Sequence, residues 1–141
     1  MEEIAFRAYP FIKLNQVFGL RITQLMVSVA FALYHIINGW NVQIAFLGPA
    51  TWAFVFGLSA IWSNGIAVPT GIHVALNLIQ ELLGMRGNEG SIWLFKRSED
   101  IPPTVNSSET VGIIIQVLVL LSAVVATELY LRGAKRNHIQ K

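Results

Sequence analysis

Three short stretches of this 141-residue chain carry side chains suited to acid–base chemistry at the spacing of one helical turn. Glu3 and Arg7 stand four apart with Glu2 beside them, Phe31 and His35 are four apart, and His73 and Asn77 repeat the interval. Two carboxylates beside a guanidinium, two imidazoles and an amide are parts from which a site that activates water and binds an oxyanion can be built. Each stretch also has a plainer reading. Glu3 and Arg7 make an ordinary i,i+4 ion pair with acids at a helix N-terminus, His35 is a hydrogen-bonded interior residue, and Asn77 is glue between helices. The remaining polar groups in apolar surroundings are Gln24, Gln80 and Glu81, with Gln116 and Glu128 the blandest: one a single amide, the other an acid close enough to a helix end to reach an interface.

The elements that must position these groups belong in lipid. Hydrophobic residues make up 54% of the chain and charged residues only 13%, where a soluble domain carries about a quarter charged. No Asp, Glu, Lys or Arg occurs from Ile22 to Gln80, nor from Thr110 to Thr127, and a helix needs about 20 residues to cross a hydrocarbon core. The charged residues Glu2, Glu3, Arg7, Lys13 and Arg21 interrupt the N-terminal region, so it does not read as a cleaved signal peptide. Nucleic-acid binding is excluded because the net charge is only +2 and the ten basic residues form no stripe. The absence of cysteine removes disulfides, thiolate zinc sites and cysteine nucleophiles.

Breakers at Asn15 to Gly19, Asn38-Gly39-Trp40-Asn41, Ser63-Asn64-Gly65 and Gly84 to Gly90 divide the chain. The expected helices run over about 2–15, 21–38, 42–62, 66–84 and 110–131. This is an all-α fold, a polytopic membrane helical bundle of about four transmembrane helices plus a short N-terminal motif helix. It forms one membrane domain over 1–141: a motif core to 84, a polar loop at 85–109, a last transmembrane helix at 110–131 and a basic tail at 132–141. Pro10 should kink or end the first helix. Pro69 and Gly71 should make the start of the fourth irregular.

Lys13 and Arg21 flank the first turn, and Arg132, Lys135, Arg136 and Lys141 lie in the tail, so both are expected to be cytoplasmic in a multi-pass integral membrane protein. A short turn makes the first two helices antiparallel, which returns His35 to the depth of Glu2 and Glu3: both arms rise about 20 Å. His73 would stand only about 10 Å above the base of its helix, short of His35, unless the segment Val68 to Gly71 is unwound.

Glu2-Glu3-Ile4-Ala5-Phe6-Arg7 matches an E-E-x-x-x-R motif, Phe31-Ala32-Leu33-Tyr34-His35 an F-x-x-x-H motif, and His73-Val74-Ala75-Leu76-Asn77 an H-x-x-x-N motif. In their order and spacing the chain resembles the CPBP (CAAX protease and bacteriocin-processing, or ABI) intramembrane proteases. The resemblance implies an intramembrane endopeptidase acting on a peptide or membrane-protein substrate. Glu2 and His35 would activate the attacking water, Glu3 and Arg7 would be the accompanying acid and its ion-pair partner, and His73 and Asn77 would stabilise the oxyanion. On cofactors it leaves two options: none, or Zn2+ held by Glu2, His35 and His73 with an open position. Several membrane helices usually precede the first motif in that family, whereas here it begins at residue 2, so the chain is expected to be an N-terminally truncated member. Ala8-Tyr9-Pro10 also departs from the family's unbroken helix. The alternatives are a non-catalytic or degenerate member serving as a membrane binding or immunity protein, and haem ligation by His35 and His73.

Overall fold

The computed structural model describes residues 2–82 and 105–139, with side chains over 110–136 in the second segment. All elements are helical: α1 (Glu2–Arg7), α2 (Tyr9–Ile37), α3 (Val42–Ala45), a π-helical turn (Phe46–Ala50), α4 (Thr51–Trp62), α5 (Ala67–Leu82) and α6 (Val105–Ile139). Three helical segments, Glu2–Ile37, Val42–Trp62 and Thr110–Arg136, are long and apolar enough to cross a membrane. The fourth expected crossing, α5, has 16 described residues, a rise of about 24 Å. Much of the outer surface is apolar, from Leu25 and Leu33 on α2 to Leu118 and Leu121 on α6. That surface has lipid as its solvent.

α2 consists of two arms, because Gly19 at φ 75°, ψ 167° breaks the helix and turns the chain back on itself. An L side chain at that φ is strained, which is why the turn falls on this glycine. The first arm therefore runs to residue 18, beyond the expected 15. Phe6 packs edge-on against Phe31 and Tyr34, and Phe11 clusters with Leu20 and Val27, so the arms are antiparallel as expected. Pro10 acts two residues upstream of its own position. It sits in the first turn of α2, where no donor is required, and the break falls at Ala8 (ψ −120°).

The second arm of α2 lies against α4 through polar and small groups. Ser28 Oγ donates to the Ala50 carbonyl at 2.8 Å and Gln24 Nε2 to the Phe54 carbonyl at 3.3 Å, and this pairing of falling with rising numbers defines an antiparallel register. Ala32, Ala45 and Ala50 let the backbones approach. Lipid offers no hydrophobic drive for helix association, so hydrogen bonds and close packing of this kind must supply it. Pro49 explains the π turn, since it lacks the donor for a regular α-helical bond. Gln24 also reaches Thr127 on α6 (3.2 Å), and Arg21 grips Glu128 through both carboxylate oxygens at 2.6 Å. The first turn and the far end of α6 thus lie at one end of the bundle.

Two expectations need correction. α5 is helical from Ala67 with Thr70 bonded back to Ile66, so Val68 to Gly71 is not unwound; Pro69 falls in the first turn, where its missing donor costs nothing. α6 begins at Val105, inside the segment read as a polar loop, and continues through the basic tail to Ile139, because extending a formed helix adds a bond per residue ordered. The rest of the 85–109 loop lies outside the described residues.

Gly57 on α4 is where the first arm docks. A Cβ there would stand 2.9 Å from Phe11 Cε2 and Cζ, whereas one at Gly112 on α6 would meet nothing within 4 Å. Gly57→Val should therefore cost about 1–3 kcal/mol and lower the melting temperature in detergent, while Gly112→Ala should not. Equal melting of the two variants would contradict this packing.

Candidate active site

α1 is only six residues long, yet it holds the most deeply buried charges of the bundle. Arg7 is 1% exposed and Glu3 4%. Their spacing sets Arg7 Nη1 against Glu3 Oε1 at 3.2 Å. The Arg7 guanidinium lies over Phe31 (4.3 Å to the ring centroid) and Phe56 (5.1 Å), so the cation is held by ring faces from α2 and α4 as well as by the acid. Stacking in this way leaves Nε and Nη2 without hydrogen-bond partners among the described residues.

Glu3 Oε1 also accepts from His73 Nδ1 at 2.8 Å, which makes this one oxygen the junction of α1 and α5. A carboxylate paired with a guanidinium only accepts, so Nδ1 of His73 carries the proton and Nε2 faces the other way. Glu2 Oε2 lies 3.7 Å from that Nε2, an ion-pair contact when the ring is protonated. His73 also stacks on Phe56 with centroids 5.0 Å apart and meets Phe31 edge-on at 6.2 Å. It therefore reaches the level of Phe31 from a fully helical start, and the partner that meets it is Glu3.

His35 is fixed by its own helix. Its Nδ1 donates to the Phe31 carbonyl at 2.8 Å, and since a carbonyl can only accept, the neutral ring keeps an unprotonated Nε2. Gly39 at φ 90° ends α2 with a turn in which Trp40 N bonds the His35 carbonyl at 3.1 Å. The turn sets the Trp40 ring edge-on to His35, at 5.0 Å, opposite Phe31 at 4.6 Å.

Glu2, His35, His73 and Asn77 line one cavity of about 510 Å³. Its apolar wall is formed by Phe31, Trp40, Ile44, Trp52 and Phe56, and Gly48 and Pro49 of the π turn complete that side. A second cavity of about 460 Å³ opens on the other side of Glu2 and His73 and is lined also by Glu3, Thr70 and Asn77. All seven defining residues of the three motifs thus gather at one place, five of them (Glu2, Phe31, His35, His73 and Asn77) around the first cavity and Glu3 with Arg7 behind it. Gln24 and Glu128 are taken up in helix–helix bonds. Among the described residues no three His, Cys, Asp or Glu side chains converge as a metal ion would require, so Glu2, His35 and His73 share a cavity without forming such a group.

Sequence reasoning missed the aromatic frame. Phe56, Trp52 and Trp40 carry no motif, and Pro49 was the one visible sign that the third helix would deform beside the site; π turns often occur at functional positions. Gln116, read as bland, lines the cavity from α6.

The fold and the clustered acid, imidazole and amide groups define an all-α integral membrane bundle with a polar cavity. Residues 1–79 match the family described as type II CAAX prenyl endopeptidase Rce1-like, and the chain belongs to that family. At the family level this makes it a CAAX-type intramembrane protease. No curated protein and no solved structure matches the chain.

Arg7→Met should leave Glu3 buried without its cation and lose about 3 kcal/mol of stability, visible as a lowered melting temperature. Arg7→Lys should recover only part, because an ammonium cannot lie flat between two rings. Melting of Arg7→Met at the parent temperature would show that the pair holds nothing together.

Proposed function

We propose that this protein hydrolyses a peptide bond of a membrane-associated substrate at the 510 Å³ cavity, with water activated by Glu2 and His35. The observation that carries the reading is the shared lining: an acid from α1, an imidazole from α2 and an imidazole and amide from α5 face one space. His35 presents the lone pair of Nε2 and Glu2 its carboxylate, which can take the proton of a water as it attacks the scissile carbonyl. The bond to carbon forms as the carbonyl π electrons move onto oxygen, and that oxyanion accepts from Asn77 and, when the ring is protonated, from His73 Nε2. Collapse of the intermediate breaks the C–N bond, and the proton held by Glu2 or His35 passes to the leaving amine. Glu3 and Arg7 are positioning residues that hold His73.

The family description points to CAAX peptides carrying a prenyl group, and the rings of Phe31, Trp40, Trp52 and Phe56 offer an apolar wall beside the polar groups. The basic residues at the first turn and on α6 favour a cytoplasmic C-terminus.

With a farnesylated CAAX-type peptide as probe, Glu2→Gln and His35→Ala should each lower kcat by at least about 100-fold while the protein stays folded. Cleavage by either variant at the parent rate would overturn the assignment. In this scheme no step passes through a metal ion, so chelator treatment should leave the rate unchanged, and a loss reversed by Zn2+ would contradict it.

A further inference from the structure

Gln116 lies outside the region matched to the family, on the helix that carries none of the three motifs, and yet it faces Glu2, His35, His73 and Asn77 across the cavity. It is the one amide or ionisable side chain between Thr110 and Thr127. Its neighbours Ile113, Ile114, Ile115, Val117 and Leu118 are exposed on a surface suited to lipid, whereas Gln116 turns inward. Its carbonyl Oε1 is closed off from solvent and has no hydrogen-bond partner among the described residues. An amide oxygen in such surroundings is costly unless paired, and among the described residues nothing pairs it.

A carboxamide sets a donor and an acceptor side by side, the complement of the C=O and N–H along a peptide. The torsion that carries it is broad, so a small rotation exchanges which of the two faces the cavity. We infer that Gln116 is a substrate-binding residue that hydrogen-bonds the backbone of the peptide and makes α6 the far wall of the substrate cleft. The inference rests on the peptidase reading for its ligand. It adds a specificity determinant that the motif region does not contain. Gln80, on α5 one turn beyond Asn77, lines the same cavity and extends the polar track along which a peptide would lie.

The test uses the full chain in detergent and the farnesylated CAAX-type peptide, together with a series of that peptide N-methylated at one backbone amide at a time. Gln116→Leu should lower kcat/KM on the unmodified peptide about five- to tenfold, mainly through KM, the loss expected for one neutral hydrogen bond. One N-methylated peptide should be cut more slowly by the parent, with no further loss in Gln116→Leu, whereas a merely structural role would leave the effects independent. Equal kcat/KM for parent and Gln116→Leu, or losses that multiply at every methylated position, would overturn the inference.

Binding of the unmodified peptide is read in parallel on Glu2→Gln protein and on the Glu2→Gln/Gln116→Leu pair. Binding that weakens with the leucine while the parent cuts nothing would support the inference and overturn the peptidase reading. Neither binding nor cleavage would overturn both.

Discussion

One carboxylate oxygen, Oε1 of Glu3, holds the site together. It accepts from Arg7 on its own helix and from His73 on α5, seventy positions away in sequence. Water would screen such a contact to little value. Here Glu3 and Arg7 are nearly without exposure, and removing either one strands the other's charge in a medium that cannot solvate it. The aromatic frame follows from the same constraint, because Phe31 and Phe56 give Arg7 ring faces where, among the described residues, only Glu3 bonds it, and they also flank His73. The geometry of the cavity is therefore set by a buried charge cluster that does not itself need to touch substrate.

Around that cluster the bundle solves a problem specific to lipid. Helices that are apolar on all sides gain little by meeting one another, so register must come from polar bonds and close contacts. Gln24, Ser28 and Thr127 supply the bonds, Ala32, Ala45, Ala50 and Gly57 the close approach, and the Arg21–Glu128 grip pins the base of α6 to the hairpin. Toward its start, from Val111 to Leu118, the described part of α6 is clothed mainly in exposed aliphatic side chains. Its inward amide, Gln116, stands out for that reason.

Much of this was legible in the sequence. The uncharged runs give membrane helices, the break between Asn15 and Gly19 gives the reversal, and equal arm lengths return His35 to the level of Glu2 and Glu3. The i,i+4 spacing gives the Glu3–Arg7 pair directly. What was not legible depends on how helices meet. Proline in a first turn reads like a breaker, although it is harmless there, so α5 seemed to need an unwound start to bring His73 high enough. A ring such as Phe56 looks like any other apolar residue until its face is seen under a guanidinium. Gln116 is a lone amide in a lipid helix, and nothing in a single chain tells which way it points.

A double-mutant cycle between Glu3→Gln and His73→Gln, read by equilibrium unfolding of the full chain in detergent, tests the central claim most directly. The account predicts a coupling energy of about 1–3 kcal/mol between the two positions, because each substitution removes the same part-buried bond. Strictly additive losses would mean that α1 and α5 are not joined through Glu3, and the site would have to be rebuilt on another contact.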